Sequence, residues 1–178
     1  NDAVLHLATA ISVVSVYLLC LLYEDNVRTV TSLEECDPTF DIELGNPLAF
    51  DIDAVVSPAN TKGIMNGGYD AVLRRFFGIT IEYLVQQYLE KFNIDVGQAI
   101  AVKTGHPKVH WLIVTPTVSV TGEGLSGHES VSYACAYNAV KVAHEKNVKY
   151  LGMTGLGSGV GGLNRRLSAR QQVQGIED

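Results

Sequence analysis

The apolar positions along the chain change their spacing several times, and each change marks an element. Ile81, Leu84, Val85, Tyr88, Leu89 and Phe92 recur at intervals of three and four, which predicts a helix with one buried face. Just before it, residues 70–77 read as a shorter helix closed by Gly78 in the usual place after a helix end. Phe40–Leu44 alternates with period two, as a half-exposed strand does, until Gly45-Asn46-Pro47 breaks it. Asp53–Ser57 is apolar, β-branched and runs into Pro58, the pattern of a central parallel strand feeding a loop. Further strands are expected at about 98–103, 111–115 and 150–154. Ser126 with Glu129 makes a capping box for a helix to about Lys146, and a closing helix runs from about Asn164 to Gln174.

The first 25 residues are harder to assign. Residues 3–22 carry no formal charge, and that length suits a membrane span. His6, Thr9, Ser12 and Ser15 interrupt the run, and Glu24-Asp25 follow it instead of basic anchors, so a span is disfavoured. The reading is a buried strand over Val4–Thr9, then a buried helix from about Ser12 to Tyr23, with a short strand at Val27–Val30 and an acidic loop at 33–38. The sequence has no initiator Met and no basic leader, which is compatible with an excised piece that a further, even membrane-bound, segment precedes.

Strands alternate with helices almost throughout. That order predicts an α/β fold, a three-layer α/β/α sandwich on a mixed, mostly parallel sheet. A length of 178 residues with 47% hydrophobic and 18% charged positions suits one domain with a core of its own. Residues 40–175 form its core, and residues 1–30 a strand-helix extension.

Charge and cysteine content exclude several chemistries. Thirteen Lys and Arg against nineteen Asp and Glu give a net charge of -6, and no basic run exceeds Arg74-Arg75 or Arg165-Arg166, so no nucleic-acid duplex is expected as a partner. Cys20, Cys36 and Cys135 are widely spaced and odd in number, which excludes a disulfide framework or a paired-cysteine metal site and points to a reducing, cytoplasmic compartment. His106 and His110 are four apart, but Pro107 between them opposes a helix, so no metal is expected.

Two loops remain, and both fall after a strand. Gly155–Gly162 holds Gly155, Gly157, Gly159, Gly161 and Gly162 directly after the last strand, and Asn60–Gly68 follows the central one, with Gly67-Gly68 opening a helix whose first turn holds Asp70. In α/β sheets ligands gather beyond the strands' C-terminal ends. Two side-chain-poor loops at one edge could grip a diphosphate through main-chain N–H groups, without net positive charge. Neither a Gly-Lys-Ser/Thr phosphate loop nor a first-unit GxGxxG is present.

With these two loops the chain resembles the macro domains that bind ADP-ribose. Asn60, Gly67-Gly68-Tyr69-Asp70 and the late glycine run stand in that family's order and at similar spacing over about residues 40–175, and the chain looks most like a bacterial and phage branch with an extra N-terminal strand and helix. The resemblance implies that Asn60 hydrogen-bonds the distal ribose, that Gly67, Gly68 and Tyr69 form the first diphosphate loop, and that Gly157, Ser158, Gly159, Val160 and Gly161 form the second. A loop Asn that satisfies its own turn is the plainer account of Asn60. Asn46 stands where the family has an Asp for the adenine amino group. Its carbonyl can accept from that amine, though more weakly, and it can equally serve its own turn. Gly161 replaces an aromatic that covers the distal ribose, and Asn66 replaces the first of three glycines.

The resemblance implies a binding or sensing module for ADP-ribose, a derivative of it, or an ADP-ribosylated protein, with no separate cofactor. Some bacterial antiviral effectors join such a domain to membrane segments and read an ADP-ribose-derived messenger. The alternative is an ADP-ribosyl hydrolase in which Asp70 and Asn60 position the attacking water. An acid in a helix's first turn also needs no chemistry to explain it. A third account is an interaction domain with a vestigial pocket. Trp111, Tyr133 and Tyr137 read as core aromatics outside the site.

Overall fold

The computed structural model of the chain describes residues 16–21, 40–120 and 130–178. Within them lie six strands, β1 (Val16–Leu21), β2 (Phe40–Leu44), β3 (Ala54–Ser57), β4 (Ile100–Lys103), β5 (Trp111–Val114) and β6 (Tyr150–Met153). Four α-helices accompany them: α1 (Gly68–Phe77), α2 (Thr80–Phe92), α3 (Val131–Glu145) and α4 (Arg165–Glu177). The strands form one sheet in the order β2-β1-β6-β3-β5-β4. Every neighbouring pair is parallel except β4 with β5, so the sheet is mixed and mostly parallel, as the alternation of strands and helices predicts.

One expectation fails. The stretch read as a helix from Ser12 to Tyr23 contains β1, which pairs with β2 on one side and with β6 on the other. A strand flanked on both sides shows an unbroken apolar run, and periodicity alone does not separate such a run from a buried helix. The strands expected at Val4–Thr9 and Val27–Val30, the 33–38 loop and the Ser126–Glu129 capping box lie outside the described residues.

Strand alternation divides the core into two layers. Val55 and Leu112 point toward α1 and α2 and pack with Leu73, Ile81, Val85 and Leu89. Ala54, Val56, Ile113, Leu151 and Met153 point the other way, onto Cys135, Ala139, Ala169 and Val173 of α3 and α4. The result is the expected α/β/α sandwich. At the end of the sheet opposite the two loops, the Asp53 carboxylate accepts the amides of Lys149 at 3.0 Å and Tyr150 at 2.7 Å, which fixes where β6 begins relative to β3. Tyr133 and Tyr137, expected in the core, instead stack on the outer side of α3 with ring centroids 6.1 Å apart, and Tyr137 is exposed. Lys146 Nζ lies 5.3 Å from the centre of the Trp111 ring.

The two helices of the second layer touch through a glycine. A Cβ at Gly175 would stand 2.5 Å from the Tyr133 carbonyl oxygen and 3.0 Å from the Tyr137 amide nitrogen, both main-chain atoms of α3 that cannot swing aside. Gly175→Ala is therefore expected to lower stability by about 1–3 kcal/mol through overpacking. Urea unfolding measures it, and an unchanged midpoint would mean that α4 slides away without cost.

Candidate functional site: a cleft between two glycine-rich loops

β3 and β6 are parallel neighbours, so the loops that leave their C-terminal ends must emerge at the same rim. The ends of β2 and β5 add Asn46 and residues 117–120 to that rim. Between them opens a cleft of about 540 Å³ bounded by Asn60, Asn66–Asp70, Thr117–Val120 and Gly157–Gly161. All the residues singled out from sequence for the site line this cleft. Among the described residues Asp70 is the one charged side chain in its wall, and no Lys or Arg contributes to it.

The first loop is held from both ends. Main-chain bonds from Thr115 to Ser57 at 3.0 Å, from Thr117 to Ala59 at 2.8 Å and from Thr61 to Val118 at 3.2 Å prolong the β3–β5 ladder past the strands. Within the loop the Asn60 side chain accepts the amides of Lys62 and Ile64, each at 3.1 Å, and donates to the Ile64 carbonyl at 2.9 Å. The plainer account of Asn60 is thus correct for its oxygen and for one of its two amide hydrogens, and the other hydrogen has no partner among the described residues. Glu82 of α2 holds the far end: one carboxylate oxygen accepts the Met65 amide at 2.8 Å and the other lies 2.7 Å from Arg74 Nε. Gly63 lies against α2 at φ 67, where a Cβ would stand 2.9 Å from a Val85 methyl.

The second loop rests on a buried polar network that sequence reasoning missed. Gln172 of α4 is fully buried; its amide group donates to the Thr154 carbonyl at 2.8 Å and accepts the Leu156 amide at 2.9 Å. The Leu156 carbonyl accepts both the Ser132 and the Ser168 hydroxyl, each at 2.6 Å. The only signal in the sequence is that Ser168 and Gln172 share a helix face with Ala169, Val173 and Ile176, and nothing local says what they face.

Beyond that brace the main chain is free. The amides of Gly162 and Leu163 close the loop onto Gly159 and Gly157, each at 3.0 Å, while those of Ser158, Gly159, Val160 and Gly161 have no partner among the described residues. Across the cleft, the amides of Gly67 and Gly68 at the start of α1 likewise have no partner among the described residues. The glycines serve two purposes. Gly68, Gly157 and Gly162 have φ of 55, 74 and 67, which other residues resist. Gly67 and Gly159 have ordinary backbone angles and open space where a Cβ would go, so the fold does not require glycine there, and what they leave is room.

Asp70 was read either as a dipole partner or as an activator of water, and the structure gives its carboxyl a specific neighbour. Ser57, at the end of β3, donates to Asp70 Oδ1 at 2.6 Å, and both residues are buried. Burial pushes the Asp70 pKa up to about 6, the Ser57 hydrogen bond opposes that shift, and the Glu82 charge adds to it. Asn46 accepts the Tyr69 hydroxyl at 2.9 Å and the Leu48 amide at 3.1 Å. Its carbonyl oxygen therefore has both lone pairs in use, and the free end of the side chain is the NH2 group. Val160, at the lip, is 83% exposed. His106 lies outside the cleft, where its Nδ1 accepts the amides of Lys108 and Val109 and its ring packs on Phe76 and Phe77.

The raised Asp70 pKa has a stability consequence. Between the unfolded value of 3.8 and the folded value of about 6 the native state binds the extra proton, so the stabilising effect of protonation is full below pH 4 and is lost as pH rises through 6. Asp70→Asn keeps an acceptor for Ser57 and removes the charge. It is expected to exceed the wild type in stability by about 2–3 kcal/mol at pH 7.5 and to lose most of that advantage at pH 4. Urea unfolding at the two pH values tests this, and a pH-independent difference would refute it.

Comparison with known proteins agrees with this geometry. The family model described as Macro domain matches residues 56–172, well over half of the chain. An uncharacterized protein of Aquifex aeolicus is 33% identical over 132 residues, which is 74% of this chain and 77% of that one. Among solved structures, the macrodomain of Thermus aquaticus DarG superposes with a TM-score of 0.66 at 18% identity, covering 90% of this chain and 91% of that one. Thermosipho africanus DarTG, solved in complex with ADP-ribose, gives a TM-score of 0.63 at 17% identity over 75% of this chain and 37% of that one. At such identities the superpositions establish the fold, and the family model together with the Aquifex relative establishes the family: the chain belongs to the macro domains.

Proposed function

We propose that the chain binds ADP-ribose or an ADP-ribose-derived nucleotide in the cleft, as a binding or sensing module. The observation that carries this is the row of amides over Ser158–Gly161 that have no partner among the described residues, across the cleft from the amides of Gly67 and Gly68, in a wall to which no described Lys or Arg contributes. Such a cradle suits a diphosphate, which oriented N–H dipoles hold without a lysine. The solved DarTG complex with ADP-ribose, similar in fold, supports the choice of nucleotide. The proposed contacts are the amides of Gly67, Gly68 and Tyr69 and of Gly157–Gly161 for the diphosphate, the remaining Asn60 hydrogen for a ribose hydroxyl, and the exposed Asn46 NH2 at the rim. The Asn46 carbonyl, engaged by Tyr69 and Leu48, is not assigned to the adenine amine.

A second reading, an ADP-ribosyl hydrolase, has one observation in its favour. A carboxyl with a pKa of about 6 in the cleft wall is poised to take a proton from water near neutral pH. Asn60, the other residue this reading needs, has only one hydrogen to offer. The binding module is therefore preferred.

Calorimetric titration with ADP-ribose checks the binding itself, and a folded protein that gives no heat would refute it. Gly159→Leu is expected to fold with wild-type stability, within about 0.5 kcal/mol, because its backbone and surroundings accept a side chain. It should bind ADP-ribose at least tenfold more weakly, and retained affinity would mean that the diphosphate lies elsewhere. Incubation with an ADP-ribosylated protein separates the two readings. No release of ADP-ribose is expected, whereas turnover that Asp70→Ala abolishes while binding persists would establish the hydrolase.

A further inference from the structure

One buried hydroxyl in the cleft wall has no hydrogen-bond partner among the described residues. It is the Oγ1 of Thr154, the first residue after β6, which is 2% exposed and lines the cleft. Burying a hydroxyl without a partner is costly, and native structures rarely tolerate it without a reason.

The sheet register determines where that side chain lies. β3 and β6 pair Ala54 with Leu151 and Val55 with Gly152, and two further steps in the same register set Ser57 beside Thr154. Leu151 and Met153 pack on the α3–α4 side. A Cβ at Gly152 would instead meet Ile52 and Pro47, on the opposite side. Alternation then puts the Thr154 side chain on the same face as Gly152 and Ser57, toward α1. There it lies on the same face of the sheet as Ser57, in a cleft wall that also includes Asp70, at the foot of the second loop. Behind it, the bond from Gln172 to the Thr154 carbonyl fixes the main chain.

We infer that Thr154 is a ligand contact: its hydroxyl donates to a phosphoryl oxygen of the diphosphate held between the two loops. A donor suits this position. The acceptor on the same face, Asp70, takes the Ser57 hydroxyl on Oδ1 and receives no bond from Thr154, and the proposed diphosphate contacts are otherwise main-chain amides. The inference rests on the reading of the cleft as a nucleotide diphosphate site and adds to it a side-chain donor that neither glycine loop supplies.

Thr154→Val, equal in shape and without the hydroxyl, tests it by moving two measurements in opposite directions. Without ligand the variant should melt higher than the wild type, by roughly 2–4 °C, because an unpartnered buried hydroxyl has been replaced by a methyl group. Its affinity for ADP-ribose should fall by about tenfold, the effect of losing a hydrogen bond to a charged acceptor. ADP should lose the same factor, since the contact is to the diphosphate. Thr154→Ser, which keeps the hydroxyl, should bind within about threefold of the wild type. Unchanged ADP-ribose affinity in Thr154→Val, a lower melting point without ligand, or a loss seen with ADP-ribose and not with ADP would each overturn the assignment. Wild-type protein that binds neither nucleotide would remove the diphosphate reading itself, a result distinct from the other three.

Discussion

The pairing of β3 with β6 is the constraint on which the rest depends. The two strands are distant in sequence, and each ends in a loop whose main chain is poorly covered by side chains. Only because they lie side by side and run the same way do those loops face each other across one gap. At the opposite end of the sheet the Asp53 carboxylate grips the amides that begin β6, so strand offset, and with it the height of one loop relative to the other, is set far from the cleft. A shift of one residue would also send every β6 side chain to the opposite face.

The two walls are stiffened by different means. The first loop is tied by an extended ladder to the segment after β5 and by Glu82 to α2, with Asn60 closing the turn between. The second loop is closed by two main-chain bonds of its own and braced from behind, where Gln172, Ser168 and Ser132 use their polar groups on the main chain of Thr154 and Leu156. Ordering a glycine-rich chain is entropically expensive. Doing so during folding leaves less of that cost to be met when an anion arrives, which is the benefit of preorganisation.

Much of the sandwich was legible in the sequence because its elements carry their own signals. The α2 stripe, the alternation at β2 and the Pro after β3 are local, and all three elements form where the pattern puts them. β1 was misread because an apolar stretch of that length fits a buried helix as well as a doubly flanked strand, and only its neighbours decide. The cleft was legible for the same kind of reason, since glycine clusters after strands are visible one residue at a time. The roles of Ser57 and Gln172 were not. Each depends on a partner 13 or more residues away, and a serine or glutamine looks alike whether it meets solvent or a buried acceptor. Asn46 and Asn60 fall between these cases. Their positions were evident, but which end of each amide the fold consumes was not.

The absence of cationic side chains among the described residues of the cleft wall bears on how occupancy would respond to the medium. Sites that capture phosphates with lysine and arginine rely on charge attraction, which added salt screens. Main-chain dipoles carry no such net charge. The chain carries a net charge of -6, so its long-range field repels an anionic ligand, and added electrolyte screens that repulsion. Association in this cleft would then hold steady or strengthen with ionic strength, the reverse of an electrostatic trap.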